Sequence, residues 1–135
     1  MRPIQPACYV AFYGTLMSEF DALDRLAARH QLQLVGPCRI AGRLFDLGDW
    51  PTLVPGEGIV HGELVEVIDE TVFAALDPFE DYDPHDRESS IYQRVRVPLL
   101  EPAVEAWVYV ANKPVPAQCE IASGSWREWL DANAA

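Results

Sequence analysis

The chain has 135 residues, half of them hydrophobic and 23% charged, which fits one globular domain over residues 1–135 that buries a core without disulfides or metal. Its formal net charge of -11 argues against a nucleic-acid partner, because binding a phosphate backbone rests on Lys and Arg displacing counterions. No apolar run is long enough to cross a bilayer, so a membrane partner is not expected either.

The chain starts Met1-Arg2-Pro3-Ile4-Gln5-Pro6, with two prolines and no apolar stretch before a small-residue cleavage site. No secretory leader is expected, and the default location is cytoplasmic. The apolar run Tyr9-Val10-Ala11-Phe12 reads as a strand and enters the turn Tyr13-Gly14-Thr15-Leu16. Gly14 is expected to take backbone angles closed to other residues and to let a ligand approach the main chain. Ser18-Glu19-Phe20-Asp21 has a capping-box pattern and predicts a helix over about residues 19–30, whose positive dipole end would face the turn.

Residues 32–35 and 38–44, separated by Gly36-Pro37, read as a strand pair or one bent strand leading to Phe45-Asp46-Leu47-Gly48. A loop rich in Pro and Gly is expected from there to Gly58, followed by a central strand over about residues 59–68. Asp69 is suited to cap a short helix carrying Val72, Phe73 and Leu76, with Pro78 ending regular structure nearby and Glu80 just beyond. Residues 92–99 alternate, as do 104–110, so two neighbouring strands would share an apolar face and present Tyr92, Arg94, Trp107 and Tyr109 on the other. Ser125-Trp126-Arg127-Glu128 is a second capping box and opens a short helix. This element order predicts an α+β domain: a small mixed β-barrel or strongly curved sheet with flanking short helices.

The run Asp77-Pro78-Phe79-Glu80-Asp81-Tyr82-Asp83-Pro84-His85-Asp86 sets carboxylates among aromatic residues and prolines. Mutual repulsion and apolar walls both disfavour ionisation, so one carboxyl there is expected to hold its proton near neutrality, and Glu80 is the best placed. The alternative is a solvated acidic loop. Cys8, Cys38 and Cys119 show no Cys-x-x-Cys spacing, and His30, His61 and His85 show no His-x-x-x-His spacing, so neither a disulfide framework nor a metal site is predicted. Signatures of serine hydrolases, phosphate-binding loops and dinucleotide-binding folds are missing.

The ordered set Tyr13-Gly14-Thr15-Leu16, Asp46-Leu47-Gly48, Leu76-Asp77 with Glu80 and Tyr82, Tyr92-x-Arg94 and Ala106-Trp107-Val108-Tyr109-Val110 resembles the γ-glutamylcyclotransferase-like family, in its AIG2-like branch. The resemblance covers nearly the whole chain. It implies an enzyme that needs no cofactor and frees 5-oxoproline and an amine or amino acid from a γ-glutamyl amide, the substrate's α-amine attacking its own γ-carbonyl.

By the same resemblance Glu80 is the acid/base, and Tyr13, Gly14, Thr15 and Leu16 bind the γ-glutamyl group through backbone donors. Tyr82, Tyr92 and Trp107 would be pocket walls, Asp46 and Gly48 would shape the rim, and Arg94 would orient a carboxylate or pair with the acidic run. Two positions depart from the pattern: Asp81 stands where many relatives have Gly, and Met17 stands where a basic residue often follows the turn. The alternatives are a non-catalytic small-molecule module on the same fold and an interaction protein using its acidic surface. A monomer is the default state, with a weak homodimer second to it.

Overall fold

A computed structural model describes residues 7–17, 22–48 and 50–133. The first six residues, and with them the start that argued against a leader, lie outside this set, as does the capping box at 18–21. The described strands are β1 (Tyr9–Phe12), β2 (Leu32–Asp46), β3 (Pro51–Val67), β4 (Tyr92–Pro98), β5 (Glu105–Ala111) and β6 (Glu120–Ile121). The α-helices are α1 (Ala22–Arg25), α2 (Phe73–Phe79) and α3 (Trp126–Ala132), with short 3-10 turns between elements.

The six strands form one sheet in the order β4-β5-β1-β3-β2-β6. It is mixed, because β1 runs parallel to β5 and antiparallel to β3. It is also unclosed, so the curved-sheet form of the expectation holds and the closed barrel does not. β4 is bonded only to β5, and β6 offers two residues, paired to Leu44 and Phe45, too short an edge to complete a ring. The core fills the space around β1 and β3, with Val10, Leu44, Val60, Val72, Leu76 and Val108 fully enclosed.

The Pro/Gly-rich segment expected as a loop up to Gly58 is largely strand. β2 pairs with β3 from Asp46↔Pro51 to Arg43↔Val54, and again from Ala41↔Ile59, leaving Pro55-Gly56-Glu57-Gly58 as an excursion opposite Gly42. The ring of Pro51 sits at the first strand position, where a missing N–H costs no ladder bond, and the excursion accommodates Pro55. The bent-strand reading of residues 32–44 holds, with register shifts between Leu34 and Gly36 and between Ala41 and Arg43.

The helix expected over 19–30 is shorter among the described residues. It breaks at Ala27, whose φ of 53° lies in the left-handed region, and resumes as a 3-10 turn at Arg29–Gln31. Two reverse bonds close that end, Ala28 N–H to the Leu23 carbonyl and Ala27 N–H to the Asp24 carbonyl. α2 ends the same way. Tyr82 N–H bonds to the Asp77 carbonyl and Asp81 N–H to the Pro78 carbonyl, with Asp81 at φ 51°.

This geometry explains why glycine suits the position after Glu80: the capping motif requires a left-handed residue there, and Asp is among the few others that tolerate it. Pro78 is inside α2 rather than at its end, because the helix is too short for a proline at that place to break many bonds. Both side-chain caps read from the sequence within the described residues form: Asp69 accepts from Thr71 N–H at 2.9 Å, and Ser125 from Glu128 N–H at 3.2 Å.

Candidate active site

β1 delivers the chain into the turn at the centre of the sheet, and the capped end of α2 faces it across a cavity of about 430 Å³. Tyr13, Gly14, Thr15 and Leu16 line that cavity together with Glu80 and Tyr92, so six of the eleven predicted site residues converge. The turn is closed by Met17 N–H donating to the Gly14 carbonyl at 3.0 Å.

Gly14 does not take the left-handed conformation expected of it. Its reason is close approach: a Cβ there would stand 2.7 Å from Cγ of Pro51, the residue that starts β3 and forms another part of the wall. The described part of the helix after the turn is Ala22–Arg25, and its expected start, where the dipole end would lie, falls outside the described residues.

Glu80 is the helix cap itself, its N–H bonded to the Leu76 carbonyl. Part of the residue remains exposed, but its carboxyl is withdrawn from bulk water, and burial lifts its pKa from the ordinary 4.5 to about 7. Burial alone does this. The neighbouring carboxylates, expected to contribute by repulsion, do not account for the lift, because Asp81, Asp83 and Asp86 are exposed to water.

Three buried tyrosines surround the carboxyl. Burial first, with the Glu80 charge among the other causes, raises Tyr13, Tyr92 and Tyr109, which keeps all three phenols neutral through the physiological range. Their hydroxyl protons are already committed. Tyr13 donates to the Tyr109 carbonyl, Tyr92 to the Pro51 carbonyl at 2.8 Å, and Tyr109 to Asp77 Oδ1 at 2.6 Å. The Tyr13 oxygen also accepts from Leu53 N–H at 3.2 Å, so the acceptor capacity that would suit an ammonium group lies chiefly on Tyr92 and Tyr109.

The other predicted residues lie elsewhere. Arg94 pairs with Asp77 through Nε at 3.0 Å and its second nitrogen at 3.3 Å, and its guanidinium lies 4.0 Å from the Phe73 ring centre and 4.7 Å from that of Trp107. Both Arg94 and Trp107 therefore belong to a clamp holding α2 on the β4–β5 ribbon, outside the cavity. Tyr82 is buried behind the end of α2 and borders a separate shallow depression. Asp46 accepts from Gly48 N–H at 2.8 Å in a local turn that leads to Trp50 and Pro51, so it is these two that form the wall.

Sequence reasoning named Tyr109 and Asp77 within its motifs but gave them no site role, and it missed Arg25. Tyr109 sits opposite Arg94 in the strand register, and Asp77 lies one turn before Glu80 on the same helix side, so strand alternation and helical spacing carried a signal for both. Arg25 carried none. It reaches the cavity from α1, whereas Met17, where a basic residue was expected, is buried and borders a different groove. Among the described residues no group of three His, Cys, Asp or Glu side chains is arranged to hold a metal.

Comparison with known proteins agrees with this architecture. The family described as gamma-glutamyl cyclotransferase, AIG2-like, matches residues 10–128. The gamma-glutamylcyclotransferase family protein YtfP of Escherichia coli K12 is 36% identical over 95 residues, 70% of this chain and 76% of that protein. The ytfP protein of Citrobacter rodentium is 36% identical over 84 residues, 62% of this chain and 66% of its own length, so the chain spans just under two thirds of that relative. The crystal structure of an AIG2-like protein from Mus musculus superposes with a TM-score of 0.67 at 27% identity, covering 90% of this chain and 88% of the mouse chain.

Proposed function

Because the chain belongs to the AIG2-like gamma-glutamyl cyclotransferase family, we propose that it converts a γ-glutamyl amide to 5-oxoproline and a free amine, with Glu80 as general acid and base. The observation that carries this reading is a carboxyl lifted to about 7, facing the Tyr13–Gly14 turn across one cavity. A group poised there accepts and returns a proton at neutral pH with little loss in either direction.

The ionised Glu80 takes a proton from the substrate's α-ammonium, whose remaining N–H bonds find acceptors on the Tyr92 and Tyr109 oxygens. The freed amine attacks the γ-carbonyl carbon, and the developing oxyanion turns towards the main-chain donors of the turn. The C–N bond to the leaving nitrogen breaks as that nitrogen receives a proton from Glu80. Two protons leave the α nitrogen and two reach the amine released as an ammonium ion, so a single carboxyl working twice closes the balance. Nucleophile and electrophile share one molecule, and holding them in register is worth up to about 7–11 kcal/mol in favourable systems.

The test is to measure 5-oxoproline and free amine from γ-glutamyl amides with the native protein and with Glu80→Gln. Equal amounts of both products, lost in the folded variant, are expected. Amine without 5-oxoproline would mean hydrolysis or transfer to another acceptor. Tight calorimetric binding without any turnover would mean the non-catalytic module.

A further inference from the structure

Three large apolar side chains remain partly in water at the cavity: Trp50 at 45% exposure, Phe79 at 38% and Ile91 at 39%. They come from three separate segments, the β2–β3 connection, the last residue of α2, and the residue before β4. Scattered exposed apolar residues are ordinary, but three converging on one cavity beside a desolvated carboxyl form a surface that gains by being covered. The buried lining of the same cavity, Tyr13, Leu16, Tyr92 and Tyr109 around the Glu80 carboxyl, is the part the cyclotransfer reading gives to the γ-glutamyl head.

From this division we infer that the outer part is the leaving-group subsite, and that it selects γ-glutamyl amides of apolar amines, aromatic or branched aliphatic, over those of small or cationic amines. The inference rests on the cyclotransfer reading of Glu80. Trp50 and Phe79 offer flat faces to an aromatic or branched chain, and Ile91 and Pro51 add aliphatic surface. The one exposed carboxylate in the lining, Asp81, is the feature a cationic amine would use instead, so a diamine is the competing leaving group.

The decisive measurement is kcat/KM for four γ-glutamyl amides, of ammonia, glycine, a diamine and phenethylamine, with the native protein, Trp50→Ala and Ile91→Ser. Hydrophobic pockets discriminate by about 10- to 200-fold for small changes in apolar size, so the phenethylamide is expected to exceed the glycine amide at least about tenfold. That ratio should fall towards one in either variant. Equal values across the panel, or a preference for the diamine, would overturn the inference while leaving cyclotransfer standing. If no amide yields 5-oxoproline, the cyclotransfer reading itself fails. Calorimetric binding of the same four amides to Glu80→Gln then decides the subsite: affinity rising with apolar size supports it, and flat affinity refutes it.

Discussion

Asp77 and Glu80 lie one turn apart on the same side of α2, and the protein treats them in opposite ways. Asp77 is half-buried with its partners, a two-pronged bond from Arg94, whose guanidinium lies against the rings of Phe73 and Trp107, and the Tyr109 hydroxyl. Glu80 is withdrawn from water beside neutral phenols that have already spent their protons, and its carboxyl rises to about 7. The same difference runs along the sheet beneath. Tyr92 and Tyr109 share a ribbon face with Arg94 and Trp107, yet only the tyrosines open onto the cavity. Burial with a counter-charge makes a structural joint; burial without one makes a proton carrier.

Substitutions at the two carboxylates should therefore separate activity from stability. The largest effect is expected from Glu80→Gln, a loss in kcat of about 10²–10⁴, with a change in stability of the opposite sense. A carboxyl with a raised pKa in the folded state binds its proton more tightly there, so it costs nothing below about pH 4.5 and destabilises progressively as pH rises to about 7. The full cost is about 3 kcal/mol above that pH, as an upper figure. Thermal melts of the native protein should lose stability between pH 5 and 8 relative to Glu80→Gln. Parallel melting curves would remove burial as the origin of the lift.

Arg94→Ala should act first on stability, because it strands Asp77 without its cation. A loss below the about 3–5 kcal/mol of a fully buried pair is expected in urea denaturation, since the pair is half-buried and Tyr109 still donates to Asp77. A variant as stable as the native protein would show the clamp to be dispensable. Gly14→Ala sharpens the cavity side of the contrast: its Cβ meets the rigid Pro51 ring, which should cost about 1–3 kcal/mol and displace the turn. A fall in kcat larger than the fall in stability predicts is the outcome that marks the turn as part of the site. The smallest effect belongs to the helix ends. Ala27→Gly should stabilise by up to about 1 kcal/mol and Asp81→Gly by less, since Asp tolerates the left-handed region better than Ala. Melting temperatures ordered the other way would count against strain at these caps.

Local signals account for what was readable beforehand. The turn at residues 13–16, the caps at Asp69 and Ser125, and the strand alternation over 92–98 and 105–111 depend on neighbours a few residues away, and they stand in the structure. Glu80 was identifiable for the same reason, as the acidic residue just past an apolar helix.

The strand over Pro51–Val54 was not, because a segment with such composition becomes strand only through its partner, here residues 43–46 of β2. The roles of Arg94 and Trp107 likewise could not be read locally, since alternation places a side chain on a face and cannot tell which part of that face a helix will cover. Arg25 reaches the cavity, and Asp46 and Gly48 stop short of it, by the same long-range packing.

The sequence by itself determined most of the elements, the caps at Asp69 and Ser125, the acidic balance and the residue types available for chemistry, because these follow from spacing and backbone preference. Tertiary structure alone decided which of two carboxylates would be neutralised by a cation and which left to hold a proton. That choice depends on how α2 sits against the β4–β5 ribbon, and desolvation is set by atoms that come together only when the chain has folded.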